Sequence, residues 1–305
     1  MKKYVFIVVA AIAALCSCSK DDDTTVDSVV AWEKELSMGK LRHNGVTRIA
    51  IETGINTSSY VSDDTHKPLN AAGTLWEVLD GQVLRIQTSG SKILGHDSFI
   101  RDDIKYGLFV DYSKVETISG LENLDMSKVT DMCSLFANCE ELTSIDISSF
   151  DTHLTNGMIG MFQNCYKLKS ITGLNKFDTS NVTDMMLMFG NCRALTELDL
   201  SSFNTSNVTD MFFMFAGCNA LTELDLSSFN TIKVTDMGGM FMDCNKLGSL
   251  TFSASFSMAK VKDKEAMFSG CGSAGHCYVH GITDPALKDA LREGTGWNQA
   301  NMEFQ

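Results

Sequence analysis

The chain has 305 residues, with 25 Lys and Arg against 38 Asp and Glu and a formal net charge of −13. Nucleic acids and anionic membranes are bound through clustered Lys and Arg, so this balance argues against either as an electrostatic partner. With 44% hydrophobic residues and two prolines, a sizeable core is available to one elongated domain or two compact ones, with little disorder.

At the N-terminus, Lys2 and Lys3 precede an apolar run from Tyr4 to Leu15, and Ser17, Cys18 and Ser19 follow. That run is too short to cross a hydrocarbon core of about 30 Å as a helix, which takes about 20 residues. Residues 1–17 therefore read as a secretory signal peptide. The end of it, "LCSC", resembles the lipobox of bacterial lipoproteins, which implies that Cys18 becomes the lipidated first residue of the mature chain. "SKDDD" (Ser19 to Asp23) is similar to the Lys-acidic signal that exports lipoproteins of gut- and mouth-dwelling Gram-negative bacteria to the outer face of the outer membrane. The implied location is the outer membrane at the cell surface, lipid-anchored, with residues 18–30 as the tether. No later apolar run approaches 18 residues.

Residues 31–103 read as a β-rich N-terminal flank. "VTRIAIET" (Val46 to Thr53) and "LWEVLDGQVLRIQT" (Leu75 to Thr88) have strand patterning, the second with Asp80-Gly81 as a hairpin turn. "IKYGLFVDYSKVETISGLENLDMSKVTDM" is then a worn copy of a unit that recurs downstream, with Phe109 and Tyr112 at its marker positions.

From 104 to 277 the chain repeats. Cys139, Cys165, Cys192, Cys218, Cys244 and Cys271 are separated by 26, 27, 26, 26 and 27 residues, and Phe136, Phe162, Phe189, Phe215, Phe241 and Phe268 keep the same beat. Each unit carries two apolar segments. "LTELDL" (Leu195 to Leu200) alternates as a half-buried strand does, and "VTDMFFMF" (Val208 to Phe215) supplies Val208, Met211, Met214 and Phe215 as a second buried set. One unit cannot bury these residues by itself. Stacked coils, about 4.8 Å apart, bury each one over its equivalent, so the expectation is a solenoid. An even cysteine count in a secreted chain ordinarily suggests disulfides. Here in-register neighbours would keep their Cβ atoms near the coil spacing, whereas a disulfide needs about 3.8 Å. The six cysteines therefore read as a buried thiol ladder, each a compact hydrophobe. The methionines Met132, Met158, Met185, Met211 and Met237 fall in the same register and read as core, not as soft-metal ligands.

"LTELDLSSFNTSNVTDMFFMFAGC" resembles the repeat of BspA-like leucine-rich surface proteins, also found as the Mycoplasma lipoprotein-associated repeat, over about Ile104 to Cys277. Thr155 stands where the motif has Val, "ITGLNKF" carries one extra residue before Phe177, and Lys264 replaces the ladder Met. The resemblance implies an α+β fold: a leucine-rich-repeat-type right-handed solenoid of about 26-residue coils, with a β-rich cap before it and a helix/strand cap after it. It also implies a role in binding or adhesion at the bacterial surface.

The closing cap is 278–305. In "TDPALKDALREGTGW", Thr283 or Asp284 caps a helix, Pro285 opens it and Gly294 stops it, and a strand from Asn301 to Gln305 pairs back.

Catalysis finds no motif: GxSxG, HExxH and the P-loop are absent, and "SGSK" (Ser89 to Lys92) is a chance-level match to S-x-x-K. No cofactor is implied and the chain reads as a non-enzyme. In "CGSAGHCYVH", Cys271, His276, Cys277 and His280 offer four zinc-ligand types, but the spacing fits no zinc module and capping structure is the stronger reading; a Cys271–Cys277 disulfide is the other alternative. Function is left to the outward face. Its strand positions include Asp146, Glu197, Asp199, Glu223 and Asp225, a surface suited to a basic partner or a bridging Ca²⁺, with a solvated face that only keeps the sheet soluble as the alternative. The expected partner is an extracellular host or bacterial protein. A glycan is the alternative, though Trp32, Trp76 and Trp297 all lie in the flanks.

Overall fold

The computed structural model describes residues 45–60, 62, 66–68, 75–88, 93–94, 99–101 and 104–305. The signal peptide, Cys18, the tether, Trp32 and "SGSK" lie outside the described residues.

The flank begins with β1 (Arg48–Glu52), β2 (His66–Pro68), β3 (Leu75–Asp80) and β4 (Val83–Thr88). β3 and β4 form a hairpin whose turn is Gly81-Gln82, one residue later than the sequence suggests, with Gly81 at φ 59°. A left-handed turn position is where glycine carries no Cβ penalty. β1 pairs in parallel with β4 on one side and on the other with β8 (Thr117–Ser119), so the flank sheet, in order β2-β3-β4-β1-β8, runs directly into the worn first repeat. Between these lie β5 (Ile93–Leu94), β6 (Phe99–Arg101) and β7 (Ile104–Tyr106); β6 and β7 pair antiparallel, and β5 pairs in parallel with β9 (Leu124–Asp125).

In the repeats, β10 (Ser144–Asp146) and β11 (Ser170–Thr172) pair in parallel, Ser144 opposite Ser170. β12 (Glu223–Leu226), β13 (Ser249–Phe252), β14 (Cys277–His280) and β15 (Met302–Phe304) form a second parallel sheet in that order. Leu195–Leu200, read as a strand from its alternation, is not one. Its burial still alternates: Leu195 and Leu200 are buried while Glu197 and Asp199 are exposed. The break follows the coil whose corner carries the extra residue. There Gly173, at φ 99°, ends β11 and opens a 3-10 turn at Leu174–Lys176, and a Cβ on Gly173 would come 2.4 Å from Ser148 Cα.

Opposite the strands, each coil has a second wall, and here the register never breaks. Single parallel bridges join Asp131, Gly157, Asp184, Asp210, Asp236 and Asp263 in succession. Four backbone hydrogen bonds cross each junction in the same pattern: Met211, Phe213, Phe215 and Gly217 donate to Asp236, Gly238, Met240 and Met242. The alternate residues of this wall turn twice through the left-handed region. One such position lies just before each ladder cysteine: Asn138, Asn164, Asn191, Gly217, Asp243 and Gly270. The other lies five residues before it: Ser134, Gly160, Leu187, Phe213, Gly239 and Ala266. Asp111, at φ 64°, takes the first of these positions ahead of Tyr112 in the worn repeat.

Between the walls runs one continuous core. Phe109, Phe136, Phe162, Phe189, Phe215, Phe241 and Phe268 stack in a column with ring centroids 5.3 to 5.9 Å apart and nearly parallel planes. Trp297 closes the column edge-on to Phe268 at 5.4 Å and stacks on Phe304 at 4.4 Å. The helix of this cap, α1 (Pro285–Arg292), is capped by Asp284, whose side chain accepts from Ala286 N. Lys264, the departure from the Met ladder, donates to Ala290 O near the end of α1. Thr155, the departure from Val, is buried with its hydroxyl donating to Val129 O.

Candidate functional site

Six of the ladder positions are cysteines, and all six are buried. They do more than fill space. Cys139, Cys165, Cys192, Cys218 and Cys244 each donate through Sγ, at 3.1 to 3.2 Å, to the carbonyl of the core Phe in the preceding coil. That carbonyl also accepts the backbone N–H of its own coil's cysteine, as Phe162 O does from Cys165 N. A second lone pair inside the core is thereby satisfied by a weak donor of the right size. Burial pushes the Cys165 and Cys218 thiols up to about 12, so they remain protonated donors.

Three polar columns, unmarked in the sequence reading, run along the same stack, and the Thr and Asn columns bind coil to coil. Thr152, Thr179, Thr205 and Thr231 are buried, and each hydroxyl donates to a carbonyl of the next coil while accepting that residue's N–H; Thr205 does so with Asn230 at 3.0 and 2.8 Å. Asn191 donates to Asn164, Asn164 to Asn138 and Asn138 to Asp111, at 2.7 to 2.9 Å. In the Asp column, each Oδ1 accepts the N–H two residues on, as Asp210 does from Phe212 and Asp236 from Gly238. Burial raises Asp210 and Asp236 to about 6, with neighbouring aspartates of the column adding repulsion. In the flank, Glu77 is 1% exposed and Oε1 has no hydrogen-bond partner, and burial pushes its carboxyl up to about 7. Its neighbour across β3 and β4 is Ile86.

The outward face of the strands is different in kind. Asp146, Glu197, Asp199, Glu223 and Asp225 are all exposed, and the parallel register places Ser249 and Thr251, then Tyr278 and His280, beside Glu223 and Asp225. Glu303 follows Tyr278 on β15. From Ser144 on, these outward positions hold six carboxylates and no Lys or Arg. They fall on three segments: Asp146 on β10, Glu197 and Asp199 on the unpaired Leu195–Leu200 segment, and Glu223, Asp225 and Glu303 on the second parallel sheet. The aspartates are also tied to their own corners. Asp146 accepts from the hydroxyl and N–H of Ser148, Asp199 from those of Ser201 and Asp225 from Ser227 N. The serine hydroxyls, then the backbone N–H groups, hold Asp146 and Asp199 below the usual carboxylate range. Asp199 also takes a hydrogen bond from the Asn175 side chain. Tyr278, which sequence reasoning passed over, is 38% exposed on β14, beside the closing strand β15, with the His276 ring 4.8 Å away.

The four zinc-ligand types in the last coil do not converge. Strand alternation turns Cys277 into the core and His280 outward, and His276 Nε2 lies 3.5 Å from Glu303 Oε2. Among the described residues no three His, Cys, Asp or Glu side chains are grouped to hold a metal ion, and no helix is long and apolar enough to cross a membrane.

A chain of 26- to 27-residue units stacked in parallel, with ladders inside and an acidic face outside, defines a repeat protein. The family model described as "Mycoplasma protein of unknown function, DUF285" matches it twice, over residues 106–197 and 168–277, and the chain belongs to that family. No curated protein and no solved structure matches it.

Proposed function

We propose that the repeats form a right-handed, leucine-rich-repeat-type solenoid of the BspA-like kind, and that the chain is a surface-anchored lipoprotein that binds an extracellular protein through its outward strand face. What supports the binding reading is the charge of that face: six carboxylates without a Lys or Arg among its outward positions. Attraction between exposed charges is long-ranged and salt-sensitive, which suits capture of a basic protein surface. The anchoring reading rests on "LCSC" and "SKDDD", and several acyl chains at Cys18 would hold the chain firmly where one would not.

The binding test is a screen of the purified chain against immobilised extracellular-matrix proteins and glycans, followed by Glu197→Gln, Asp199→Asn, Glu223→Gln and Asp225→Asn in one variant. Amides remove the charge while preserving the acceptor that each aspartate offers its corner; Ser at these positions would remove that acceptor. Capture of a basic protein should fall in the variant, and in the parent as salt shortens the screening length from about 10 Å at 0.1 M to about 3 Å at 1 M. Equal capture at every salt concentration would reduce the face to a solubilising surface. Tyr278 favours the glycan alternative, since an exposed ring beside carboxylates can stack on a sugar. Loss of glycan binding in Tyr278→Ala with protein capture intact would select it. For the anchor, Cys18→Ala should release the protein from the membrane fraction.

A further inference from the structure

The thiol ladder changes partner at its last member. From Cys139 to Cys244 each Sγ donates to a Phe carbonyl of the preceding coil. Cys271 is hydrogen-bonded to the side chain of Cys277 instead. These two cysteines belong to one short loop and not to successive coils, so the coil spacing that keeps the other thiols apart does not act on them. The backbone around them brings them together. Asn301 Nδ2 donates to Cys271 O at 3.2 Å, and Asn301 O accepts from Cys277 N at 2.9 Å, so one residue grips both. Gly272 sits at φ 64°, and a Cβ placed on it would lie 2.9 Å from Cys277 Cβ, which puts the Cys277 methylene against the residue that follows Cys271.

We propose that Cys271 and Cys277 are a modification site, a dithiol that a disulfide-bearing oxidant converts to an intramolecular disulfide, closing the loop between the last repeat and β14. The Cys271 hydrogen bond lowers the Cys277 thiol, so Cys277 is the sulfur that gives up its proton and attacks first. Its thiolate attacks one sulfur of the incoming disulfide, the old S–S bond breaks, and one thiol leaves. Cys271 then loses its proton and attacks the Cys277 sulfur of the mixed disulfide, expelling the second thiol. Two protein thiols are oxidised, one disulfide is reduced to two thiols, and the protons lost by the cysteines are those the leaving thiols gain. Because both sulfurs are buried, the exchange runs during folding or when the closing cap opens.

The experiment refolds the full reduced chain in a mixture of reduced and oxidised glutathione, traps free thiols by alkylation in denaturant, and maps the digested peptides by mass spectrometry. The expected result is a Cys271–Cys277 cross-link, lighter by two hydrogen atoms than the reduced pair, with Cys139, Cys165, Cys192, Cys218 and Cys244 recovered as alkylated thiols. Oxidation should also raise the thermal midpoint of the parent and leave that of Cys277→Ser unchanged. Recovery of Cys271 and Cys277 as free thiols at the most oxidising ratio, or of either joined to a ladder cysteine, overturns the proposal, and the parent chain alone suffices to read either result.

Discussion

The two walls of each coil are built from the same number of repeats yet differ in regularity. On the wall that carries the Asp column, four backbone hydrogen bonds cross every junction from Met132 to Asp243. On the strand wall, pairing stops at Thr172 and resumes at Glu223. The difference lies in what each wall has to do. The first wall is fastened by backbone bonds and by Asn side chains, with the thiol ladder just inside it, so a lapse in register would strand several buried polar groups at once. The second wall presents side chains to solvent, and a corner with one extra residue can interrupt it while Leu195 and Leu200 stay in the core. A face relieved of the duty of holding the stack is free to vary, which is where a binding surface belongs.

The sharpest way to break the fastened wall is Phe189→Ala. The ring is fully buried between Phe162 and Phe215, and such truncations cost about 3–5 kcal/mol. Cys192→Ala, one wall position away, removes one sulfur and one weak donor and should cost roughly 1–2 kcal/mol. Denaturant unfolding of the two variants checks the ranking. An equal or larger loss for Cys192→Ala would mean that the thiols carry the stack.

A pH series tests the buried carboxyls of the fastened wall and of the flank. Glu77, Asp210 and Asp236 have folded pKa values raised by burial to about 7, 6 and 6. The folded chain therefore binds more protons than the unfolded chain between about pH 4 and 7, and stability must fall as pH rises through that window. For Glu77 alone the change is on the order of 3 kcal/mol, at about 1.4 kcal/mol per pKa unit. Below it, the exposed Asp146 and Asp199, held low by their serines, act in the opposite sense. The unfolding midpoint should thus be highest in mild acid, and Glu77→Gln should flatten the decline toward neutrality. A midpoint that rises steadily from pH 4 to 7 would refute the burial argument.

The apolar ladders were legible in the sequence because Phe, Met and Cys recur at a fixed interval, and an apolar residue that recurs has only one place to go. The Thr and Asn ladders were not. "FNTSN" has the composition of a solvated turn, and nothing local shows that Thr205 finds its partner at Asn230 in the next coil. The Asp of "VTDM" was hidden in the same way: its partner is an N–H two residues on, but its burial comes from the stack. Alternation did place Glu197 and Asp199 outward. It did not reveal that their segment lacks a strand partner, because pairing depends on the neighbouring coils and not on the segment's own alternation. Phe212 and Phe213 offer a related case. Their rings lie over Gly238 and Gly239, where a Cβ would come within 3.0 and 2.2 Å, so the two glycines read as gaps until the neighbouring coil is laid on them.

A smaller effect separates a polar ladder from an ordinary turn. Thr205→Val keeps the shape but leaves the Asn230 carbonyl without its donor and the Asn230 N–H without its acceptor, both largely shielded. Unsatisfied buried groups cost about 1–3 kcal/mol. Ser206→Ala, at the adjoining position where only the backbone N–H is engaged, by Asn204, should be within about 0.5 kcal/mol of the parent. If the two variants unfold at the same denaturant concentration, the Thr hydroxyls are incidental to the stack.

The smallest expected effect lies on the open wall, and it divides the two roles of a single carboxylate. Asp199 accepts the N–H and hydroxyl of Ser201 through Oδ1, takes a further hydrogen bond from the Asn175 side chain, and is exposed. Asp199→Asn retains a side-chain acceptor for the corner and removes the charge, so its stability should stay within about 0.5 kcal/mol of the parent. Asp199→Ala removes the acceptor as well. It should lose about 1 kcal/mol, the net worth of a partly exposed hydrogen bond. Neither change touches the fastened wall, so amide exchange from Met185 to Cys192 should be as slow in both variants as in the parent. Binding should respond in another order. A basic partner held by charge will be lost about equally from Asn and Ala, since both are neutral, whereas a ligand that needs the corner's shape will be lost mainly from Ala. The pair of variants, read by unfolding and by capture together, therefore separates a proposed partner held by charge from one held by backbone form.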